Sequence, residues 1–390
     1  MTSAVIVSAV RTAVGTARKG ALVHTSPEVL AKAVLKAAIE RPGLDPSRVD
    51  DVVFAESLYG GGAVARHAAV EAGLLRAGGM ALNRHCAGSL SAMGVAAASV
   101  LSGMERFVVA GGVMSASMIP LMRQRAPGSD EWLEAWAPPT HPDSPDAPNQ
   151  DMSITVGWNT AKAVGASRQE MDEWALRSHQ RAVAAIDAGQ FEDEIVPVEA
   201  RAADGGSFIF KVDEHPRRET TLEKLASLKV LHPEIEGFSI TAGNSSGVND
   251  AASALLITTD EAARSAALPV MAKIRAWTAI GIDPRLTGLA VVDVIEKLLS
   301  RGGAAIGDVA LWEINEAFAS VPIAACRRLG LDPETVNVSG SGCSIGHPIA
   351  ASGGRMIATL IRDLQRRGGG LGVAAMCAGG GQAGAALIEV

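Results

Sequence analysis

The sequence of 390 residues is poor in aromatic side chains, which make up 4% of it and include a single tyrosine. It also has no excess of positive charge, because 35 Lys and Arg residues face 42 Asp and Glu residues, for a formal net charge of −7. This balance argues against a protein that binds nucleic acid by neutralising phosphates, although it leaves room for local basic patches. Few aromatic residues and 42 glycines indicate close backbone packing and tight turns.

Long strongly apolar runs are absent as well. The uncharged stretches 86–104 and 368–388 contain four serines and eight glycines respectively, so we expect buried elements of a soluble protein rather than membrane spans. The N-terminus has no basic segment typical of a signal peptide, which predicts a first strand and a cytoplasmic protein. Hydrophobic residues still make up 48% of the chain, which excludes intrinsic disorder and allows two or three packed units.

Cysteine is scarce, and the four cysteines are at least 17 positions apart. This spacing excludes the Cys-x-x-Cys pattern of redox and zinc motifs, and we expect free thiols and no metal site. Cys326 lies beside two arginines in a predicted helix and is expected to be structural. Cys343 is close in sequence to His347, but as a candidate catalytic residue it ranks below Cys86 and Cys377.

Both ends of the chain alternate apolar runs typical of buried strands with the spacing of amphipathic helices. Such alternation predicts parallel sheets covered by helices. The two ends also share an element order and a closing Ala-Gly-Gly, which predicts a duplicated βα unit. The predicted strands lie at 4–8, 52–55, 107–113, 270–276, 309–314, 335–338, 372–377 and 385–390, and the predicted helices at 28–40, 289–300, 317–329 and 354–366.

The middle of the chain differs in composition from both ends. Residues 118–150 contain seven prolines and no clean periodicity, and 167–188 read as a charged amphipathic helix. That helix begins at Ser167 with Glu170 three residues later, the pattern of a capping box. The sequence therefore predicts a first unit of residues 1–117 plus 247–269, an inserted block at 118–246, and a second unit at 270–390.

Cys86 lies in the segment 83–89, between a predicted strand and a helix expected to begin near Ala87. A helix N-terminus lowers the pKa of a thiol, and its free N–H groups can hold an oxyanion. The same cysteine could equally be a small buried hydrophobic residue, and this segment alone does not separate the two interpretations.

Three further segments carry candidate residues. His347 is held between Gly and Pro before a helix and could be a general base, although a solvated loop histidine is the usual interpretation. Cys377 ends an apolar strand before three glycines, which would let a substrate approach the backbone; a packing cysteine is equally open. Asn315 and Glu316 precede a predicted helix, where capping and the helix dipole explain them without catalysis.

Taken together, these segments resemble the thiolase family over nearly the whole chain. The family's nucleophile segment, its Asn-Glu-Ala-Phe, its Gly-His-Pro and its Cys-x-Gly-Gly occur in family order at 83–89, 315–318, 346–348 and 377–380. The segments 213–217 and 241–247 are also similar to family segments. The resemblance implies an α/β fold of duplicated βαβαβαββ halves in a five-layer α/β/α/β/α core. It further implies an inserted loop domain and a homodimer or homotetramer.

The resemblance also implies roles for individual residues. Cys86 would be the acylated nucleophile, His347 the base that activates it, and Cys377 the acid/base at the α-carbon of acetyl-CoA. His347 and a water held by Asn315 would form one oxyanion hole, and the backbone N–H groups of Cys86 and Gly379 the second. Two thiols and an imidazole can supply this chemistry without a metal or redox cofactor.

CoA and acyl-CoA would then be substrates rather than permanent cofactors, and CoA would lie across the loop domain. The resemblance implies that Arg217 lies near the adenine and phosphates, Ser246 at the pantetheine arm, and Ala317 and Phe318 along its channel. Further basic residues, which could also form a solvated face, would add local positive charge: Arg218, Lys224 and Lys229.

The implied activity is that of an acyl-CoA:acetyl-CoA C-acyltransferase, degradative or biosynthetic. A decarboxylating ketosynthase and a catalytically silent acyl-CoA-binding protein are the alternatives. The Asn-Glu-Ala-Phe segment and Cys377 argue against the ketosynthase, and the presence of both Cys86 and Cys377 argues against the silent protein.

Two departures from the family pattern bear on the substrate. Asp151 stands where members specific for acetoacetyl-CoA often carry histidine, and Cys343 interrupts the usual glycine-rich run. We therefore expect a substrate longer or bulkier than acetoacetyl-CoA, provided that Asp151 faces solvent or a basic partner. The rings of Trp132 and Trp136 could line a wider acyl groove, or pack the loop domain or an oligomer contact.

Overall fold

A computed structural model describes residues 2–57 and 63–390. The strands in this part of the chain are β1 (Ala4–Thr12), β2 (Gly15–Thr16), β3 (Asp51–Glu56), β4 (Met80–Leu82), β5 (Phe107–Ser115), β6 (Gln124–Arg125), β7 (Trp132–Leu133), β8 (Ile195–Val196), β9 (Val198–Arg201), β10 (Ser207–Phe210), β11 (Asn249–Thr259), β12 (Ala272–Gly281), β13 (Val309–Ile314), β14 (Leu371–Ala378) and β15 (Gln382–Glu389). The helices are α1 (Pro27–Glu40), α2 (Val64–Glu71), α3 (Gly88–Ser102), α4 (Asn159–Val164), α5 (Arg168–Asp187), α6 (Leu222–Ala226), α7 (Asp260–Ser265), α8 (Ala290–Gly302), α9 (Ser320–Leu329) and α10 (Ser352–Arg366).

One large sheet joins the two ends of the chain, in the order β13-β14-β15-β12-β1-β11-β5-β3-β4. The halves meet where β1 pairs antiparallel with β12, through Val5 with Lys273 and Ile6 with Ala272. The sheet is mixed rather than parallel as predicted: β3, β4 and β5 run parallel, as do β13 and β14, whereas β11 and β15 pair antiparallel with their neighbours. For β15 the reason is local, since β14 and β15 are joined by a short hairpin turn, which only antiparallel strands allow.

Helices cover both halves of this sheet and fill the space between them. Helix α1 packs on β1, β5 and β11, α8 packs on β12, β14 and β15, and α3 and α10 lie together in the middle, in contact with strands of both halves. Along β1, Val5 and Val7 belong to the core under α1, whereas Ala4 and Ile6 belong to the core that contains α3 and α10. The predicted α/β/α/β/α layering is therefore confirmed.

The two uncharged stretches occupy interior positions. The stretch from His85 to Ser102 is long and apolar enough to cross a membrane by composition, but 61% of it is buried inside the protein. Its helix, α3, packs between the sheet halves. The second stretch forms β14, β15 and the turn between them.

Two predicted elements differ in the structure. The predicted strand at 335–338 is reduced to a single parallel bridge between Val336 and Trp312, because a short 3-10 turn precedes it. The helix predicted from residue 317 begins at Ser320. Residues 317–319 are instead held by hydrogen bonds to a distant segment, with Ser246 N–H donating to Ala317 O and Ala319 N–H donating to Asn244 O.

Between β5 and β11 the chain leaves the large sheet for most of its length. This block contains the β6–β7 and β9–β10 hairpins and the helices α4, α5 and α6, and its strand β8 pairs with β1. Helix α5 is the predicted charged helix, and Ser167 and Glu170 form the expected capping box. The division of the chain at 118 and 246 stays a prediction.

Candidate active site

A cavity of about 230 Å³ lies where the two sheet halves meet the inserted block. Cys86 reaches it from the turn before α3, His347 from the loop before α10, and Cys377 and Gly379 from the end of β14. The rest of its wall is mostly apolar: Met114, Ala116, Met152, Val156, Val248, Ala317, Phe318 and Ile349. Three segments that are far apart in sequence, each carrying a predicted reacting group, therefore open into one apolar space.

Cys86 lies in a 3-10 turn directly before α3. The preceding residue, His85, has a left-handed backbone with φ of 45°, and its N–H donates to Asn83 Oδ1 at 2.7 Å. The backbone N–H groups of Gly379 and of Cys86 itself favour the thiolate, but burial outweighs them and raises the pKa of Cys86 to about 11. The lowered pKa predicted from the helix N-terminus is thus wrong, because the apolar surroundings dominate.

His347 is buried and held at both its backbone and its ring. Its N–H donates to Asn249 Oδ1 at 2.9 Å, and its Nδ1 lies 2.6 Å from Ser352 Oγ. Gly346 makes this approach possible, since its φ is +108° and an added Cβ would lie 2.5 Å from Asn249 Oδ1. Burial, with a smaller effect from Arg355, lowers the pKa of His347 to about 3. The imidazole is therefore neutral at pH 7.

Asn315 contacts His347 without lining the cavity. Its Nδ2 lies 3.4 Å from Nδ1 and 3.5 Å from Nε2 of the histidine. Such nearly equal distances place the amide against the ring face, out of line with either lone pair. Its Oδ1 is buried and has no hydrogen-bond partner within the described residues. Asn315 does not cap a helix, because α9 begins only at Ser320 and its N-cap is Ala319. The capping interpretation is therefore wrong.

Cys377 lies near the end of β14 and is 2% exposed. Burial and the neighbouring Cys86 raise its pKa above the ordinary range of a thiol. Beyond it the chain turns through Gly380 and Gly381, which have φ of 82° and 70°. A Cβ on Gly380 would lie 2.9 Å from Thr140, so the inserted block packs directly against this turn. Both cavity thiols are accordingly protonated at neutral pH.

The residues expected to contact CoA divide between two cavities. Ser246, Ala317 and Phe318 line the cavity of Cys86. Arg217 lines a neighbouring cavity of about 240 Å³, together with His179, His215 and Lys224. His215 lies between the two, since a Cβ on Gly247 would lie 2.3 Å from its Nε2.

The remaining predicted basic residues do not line either cavity. Arg218 binds Asp187, with Nη1–Oδ2 and Nη2–Oδ1 distances of 2.8 and 2.6 Å. Lys229 is not among the residues that line either cavity. The predicted basic cluster is therefore reduced to Arg217 and Lys224 at the second cavity.

Asp151 turns away from the cavity toward a basic partner. Its Oδ2 lies 2.7 Å from His232 Nε2, and its Oδ1 accepts a hydrogen bond from Ser153 Oγ at 2.6 Å. The adjacent Met152, rather than Asp151, lines the cavity. The condition attached to the bulky-substrate prediction, that Asp151 face solvent or a basic partner, is met.

The two tryptophans do not line this cavity. Trp132 lies on β7 with 51% of its surface exposed, and the guanidinium groups of Arg123 and Arg125 lie 5.3 and 6.0 Å from its ring centre. Trp136 is partly buried in the same segment, where its N–H donates to Met122 O. The interpretation of these rings as walls of the acyl groove is wrong, because Trp132 lies on the exposed hairpin and Trp136, although partly buried, is not among the residues that line the cavity.

Cys343 and Cys326 are both buried and free, and neither lines the cavity of Cys86. The backbone N–H of Cys343 donates to Glu316 Oε2 at 3.0 Å. That carboxylate also accepts hydrogen bonds from Trp174 Nε1 and Ser178 Oγ of α5. Glu316 therefore joins α5 to the glycine-rich loop, in place of the predicted contact with a helix dipole.

Sequence reasoning missed Asn249 and Ser352. Ser352 is the first residue of α10, five positions after His347, so its hydroxyl reaches back over one helical turn; this spacing could have revealed it. Asn249 begins β11, 98 positions from His347, and no local pattern connects the two.

Comparison with known proteins agrees with this geometry. Residues 4–261 match the family model of the thiolase N-terminal domain, and residues 268–390 match that of the thiolase C-terminal domain. The chain is 37% identical to an acetyl-CoA acetyltransferase of Escherichia coli K12, over 100% of this chain and 99% of that protein. It is 34% identical to a 3-ketoacyl-CoA thiolase of Bacillus subtilis 168, with 100% of both covered. A crystal structure of the Bacillus anthracis acetyl-CoA acetyltransferase matches with a TM-score of 0.89 and 34% identity, over 100% of this chain and 99% of that one. Since these matches include every segment that lines the cavity, the chain belongs to the thiolase family and is an acyltransferase.

Proposed function

We propose that the protein is an acetyl-CoA C-acyltransferase that cleaves a 3-ketoacyl-CoA with CoA, or runs the reverse condensation, through an acyl group on Cys86. The observation that carries this proposal is the convergence of Cys86, Cys377, His347 and the Gly379 turn on one apolar cavity. Cleavage of a carbon–carbon bond beside a ketone requires a nucleophile, an oxyanion site and a proton source, and these groups can supply all three.

In the first half-reaction, the sulfur of Cys86 attacks C3 of the 3-ketoacyl-CoA while His347 accepts the thiol proton. The backbone N–H groups of Cys86 and Gly379 stabilise the oxyanion on the former ketone, while the imidazolium N–H and a water on Asn315 face the thioester oxygen that becomes the enolate oxygen. The buried Oδ1 of Asn315, with no partner in the described residues, supports this water position.

The C2–C3 bond then breaks, and its electron pair passes to the enolate of acetyl-CoA. The thiol of Cys377 gives its proton to C2, and acetyl-CoA leaves with the acyl group retained on Cys86. A raised pKa suits this role, because it keeps Cys377 protonated until the enolate forms.

In the second half-reaction, the Cys377 thiolate takes the proton of the incoming CoA thiol. The CoA sulfur attacks the acyl carbonyl, and the backbone N–H groups of Cys86 and Gly379 face the new oxyanion. Collapse releases acyl-CoA and the sulfur of Cys86, which regains its proton from His347.

CoA extends from this cavity toward Arg217 in the proposal. The pantetheine arm lies between Ser246 and the Ala317–Phe318 wall, and the phosphates lie near Arg217 and Lys224. The two cavities are neighbours on either side of His215, which supports the placement of the two parts of CoA in them.

A neutral acyl chain fits the cavity better than a charged one. None of the described residues that line it is Lys, Arg, Asp or Glu, so a carboxylate on the acyl chain would lose its hydration without gaining a cation. A substrate longer than acetoacetyl-CoA stays a prediction. Trp132 and Trp136 no longer support it, because neither lines the cavity.

A homo-oligomer is part of the proposal. Two exposed apolar side chains in the segment around β6 and β7 support it, since Leu121 is 92% exposed and Trp132 is 51% exposed. Light scattering coupled to gel filtration should give a multiple of 40.1 kDa, and a monomer would contradict this part.

The direct test is the CoA-dependent loss of 3-ketoacyl-CoA absorbance. The panel runs from acetoacetyl-CoA through long-chain and cyclic substrates to the dicarboxylic 3-ketoadipyl-CoA, with Cys86→Ala as the inactive control. We expect turnover of neutral substrates and a much lower kcat/KM for the dicarboxylic one. Failure to cleave any substrate would contradict the proposed function, and a preference for acetoacetyl-CoA would contradict only the chain-length prediction.

A further inference from the structure

Within residues 2–57 and 63–390, Ser352 makes the one side-chain contact that is short enough to set the protonation pattern of the His347 ring. Its Oγ lies 2.6 Å from Nδ1, and both side chains are buried. The Ser352 Oγ also lies 3.0 Å from the carbonyl oxygen of Pro348, one helical turn back. The hydroxyl therefore sits between a ring nitrogen, which can donate or accept, and a carbonyl, which can only accept.

A single hydroxyl proton cannot serve both neighbours. If Ser352 donates to the Pro348 carbonyl, its oxygen is left to accept a proton from Nδ1 of His347. Among the described residues, no hydrogen-bond acceptor lies close to the other ring nitrogen, because the nearest group of Asn315 is its Nδ2, 3.5 Å from Nε2. Both observations favour the tautomer with the proton on Nδ1 and the lone pair on Nε2.

The backbone around the histidine is held as well, which fixes the point from which the ring reaches the cavity. Asn249 accepts the N–H of His347 and donates from Nδ2 to Gly15 O at 3.0 Å. Pro348 restricts the residue before it to an extended backbone. With Nδ1 bound to Ser352, Nε2 is the nitrogen left for the cavity.

We propose that Ser352 is a positioning residue that holds His347 as its Nδ1–H tautomer, so that Nε2 can accept the proton of Cys86. This inference rests on the proposed function for its consequence in catalysis, but not for the tautomer itself. Ser352 is neutral, unlike the carboxylate that orients many catalytic histidines, so it directs the ring without attracting a proton to it. Proton transfer then awaits the attack of Cys86 on substrate.

The decisive measurement is the 15N chemical shift of the two His347 ring nitrogens in the full-length protein, assigned by comparison with His347→Gln. We expect a protonated Nδ1 and an unprotonated Nε2 at pH 7, and a mixture of tautomers in Ser352→Ala. A wild-type spectrum with the proton on Nε2 would overturn the proposal, and this spectrum decides even if the variant does not fold.

Kinetics supply the second readout. Ser352→Ala should lower kcat about 10- to 100-fold with little change in the KM for CoA. This loss is smaller than the roughly 100- to 10,000-fold contribution of general acid–base catalysis, because the variant keeps His347 and loses only its orientation. Ser352→Thr, which retains the hydroxyl, should restore most of this loss. Unchanged kcat in Ser352→Ala would overturn the catalytic part of the inference.

Ser320→Ala is the matched control. Ser320 is also the first residue of a helix, is fully buried, and donates to a backbone carbonyl, that of Gly157, at 2.9 Å. Its loss should lower stability as much as that of Ser352 but leave kcat near wild type. An inactive wild-type protein with the expected Nδ1–H spectrum would refute the proposed function and leave the tautomer assignment standing.

Discussion

The reacting side chains of the free protein are all uncharged at neutral pH. Burial raises the pKa of Cys86 to about 11 and lowers that of His347 to about 3. A neutral thiol beside a neutral imidazole is a weak nucleophile, so the proton must move when the substrate carbonyl is in place. We therefore expect Cys86 to react slowly with electrophiles when no substrate is bound.

Alkylation of Cys86 by iodoacetamide should reflect this resting state. Because the thiolate is the reactive form and the pKa is raised, the rate should increase about tenfold per pH unit from pH 6 to 9, without a plateau. The readout is the intact mass of the protein, with Cys86→Ala as the control. A plateau below pH 7 would show that Cys86 and His347 form an ion pair in the free protein.

Cys377 is predicted to act on carbon rather than on the acyl group. Cys377→Ala should therefore still accept an acyl group from a simple thioester, while carbon–carbon cleavage falls by about 100-fold or more. Acyl transfer is followed by intact mass and cleavage by absorbance. Cys326→Ala, which removes another buried thiol outside the cavity, should leave both rates unchanged. Normal cleavage in Cys377→Ala would remove this residue from the mechanism.

Single residues also show where sequence reasoning reaches its limit. The pattern around Cys86 correctly indicated a turn before a helix, but the direction of its pKa shift was wrong because burial depends on segments far away in sequence. Asn249 could not be found for the same reason. Cys377 and His347 could be selected only because a family resemblance joined segments that are separately ambiguous.

At the scale of elements, the loop before α10 depends on a backbone that only glycine adopts easily. In Gly346→Ala the positive φ is strained and the new Cβ meets Asn249, so His347 must move. We expect a loss of kcat of at least about 100-fold, comparable to removal of the general base.

Gly330→Ala controls for backbone strain alone. Gly330 has φ of +68°, but an added Cβ there meets no atom within 4 Å. This variant should lose about 1–2 kcal/mol of stability from the left-handed conformation and keep its kcat. Equal kcat losses in the two variants would show that general strain, and not the position of His347, lowers activity.

Elements were predictable where their pattern is local. The apolar runs of β3, β5 and β13 and the capping box of α5 were identified from the sequence and are confirmed. The sequence predicts the start of α9 three residues too early, because residues 317–319 bond to residues 244–246 instead of continuing the helix. The strand predicted at 335–338 is likewise reduced to a single bridge, because the 3-10 turn Pro333–Thr335 precedes it.

For the whole molecule, buried histidines link stability to pH. Burial, with a smaller effect from His215, lowers the pKa of His179 from 6.5 to about 4. The unfolded chain therefore binds a proton near pH 6.5 that the folded protein resists. The stabilisation is fully present above pH 6.5 and is lost as the pH falls toward 4.

Urea unfolding of the wild type and His179→Gln between pH 7.5 and 4.5 tests this linkage. The free energy of unfolding of the wild type should fall relative to that of the variant as the pH drops below 6.5. A difference between the two proteins that does not change with pH would contradict the assignment.

The overall architecture was predictable from the family resemblance, whereas the sharing of one sheet by both halves was not. Residues 272–273 pair with 5–6 across more than 260 positions, and no local periodicity reveals such a contact. The cavity owes its position to this arrangement, since it brings the loop of His347 and the turn of Cys86 to the same end of the two central helices.

The formation of an acyl group on Cys86 is the central claim of this account. Intact-protein mass spectrometry after mixing with a 3-ketoacyl-CoA, in the absence of CoA, tests it most directly. We expect a mass increase equal to the acyl group, located on Cys86 by peptide mapping, absent in Cys86→Ala and removed on addition of CoA. An adduct on another residue, or turnover of the same substrate by Cys86→Ala, would contradict it.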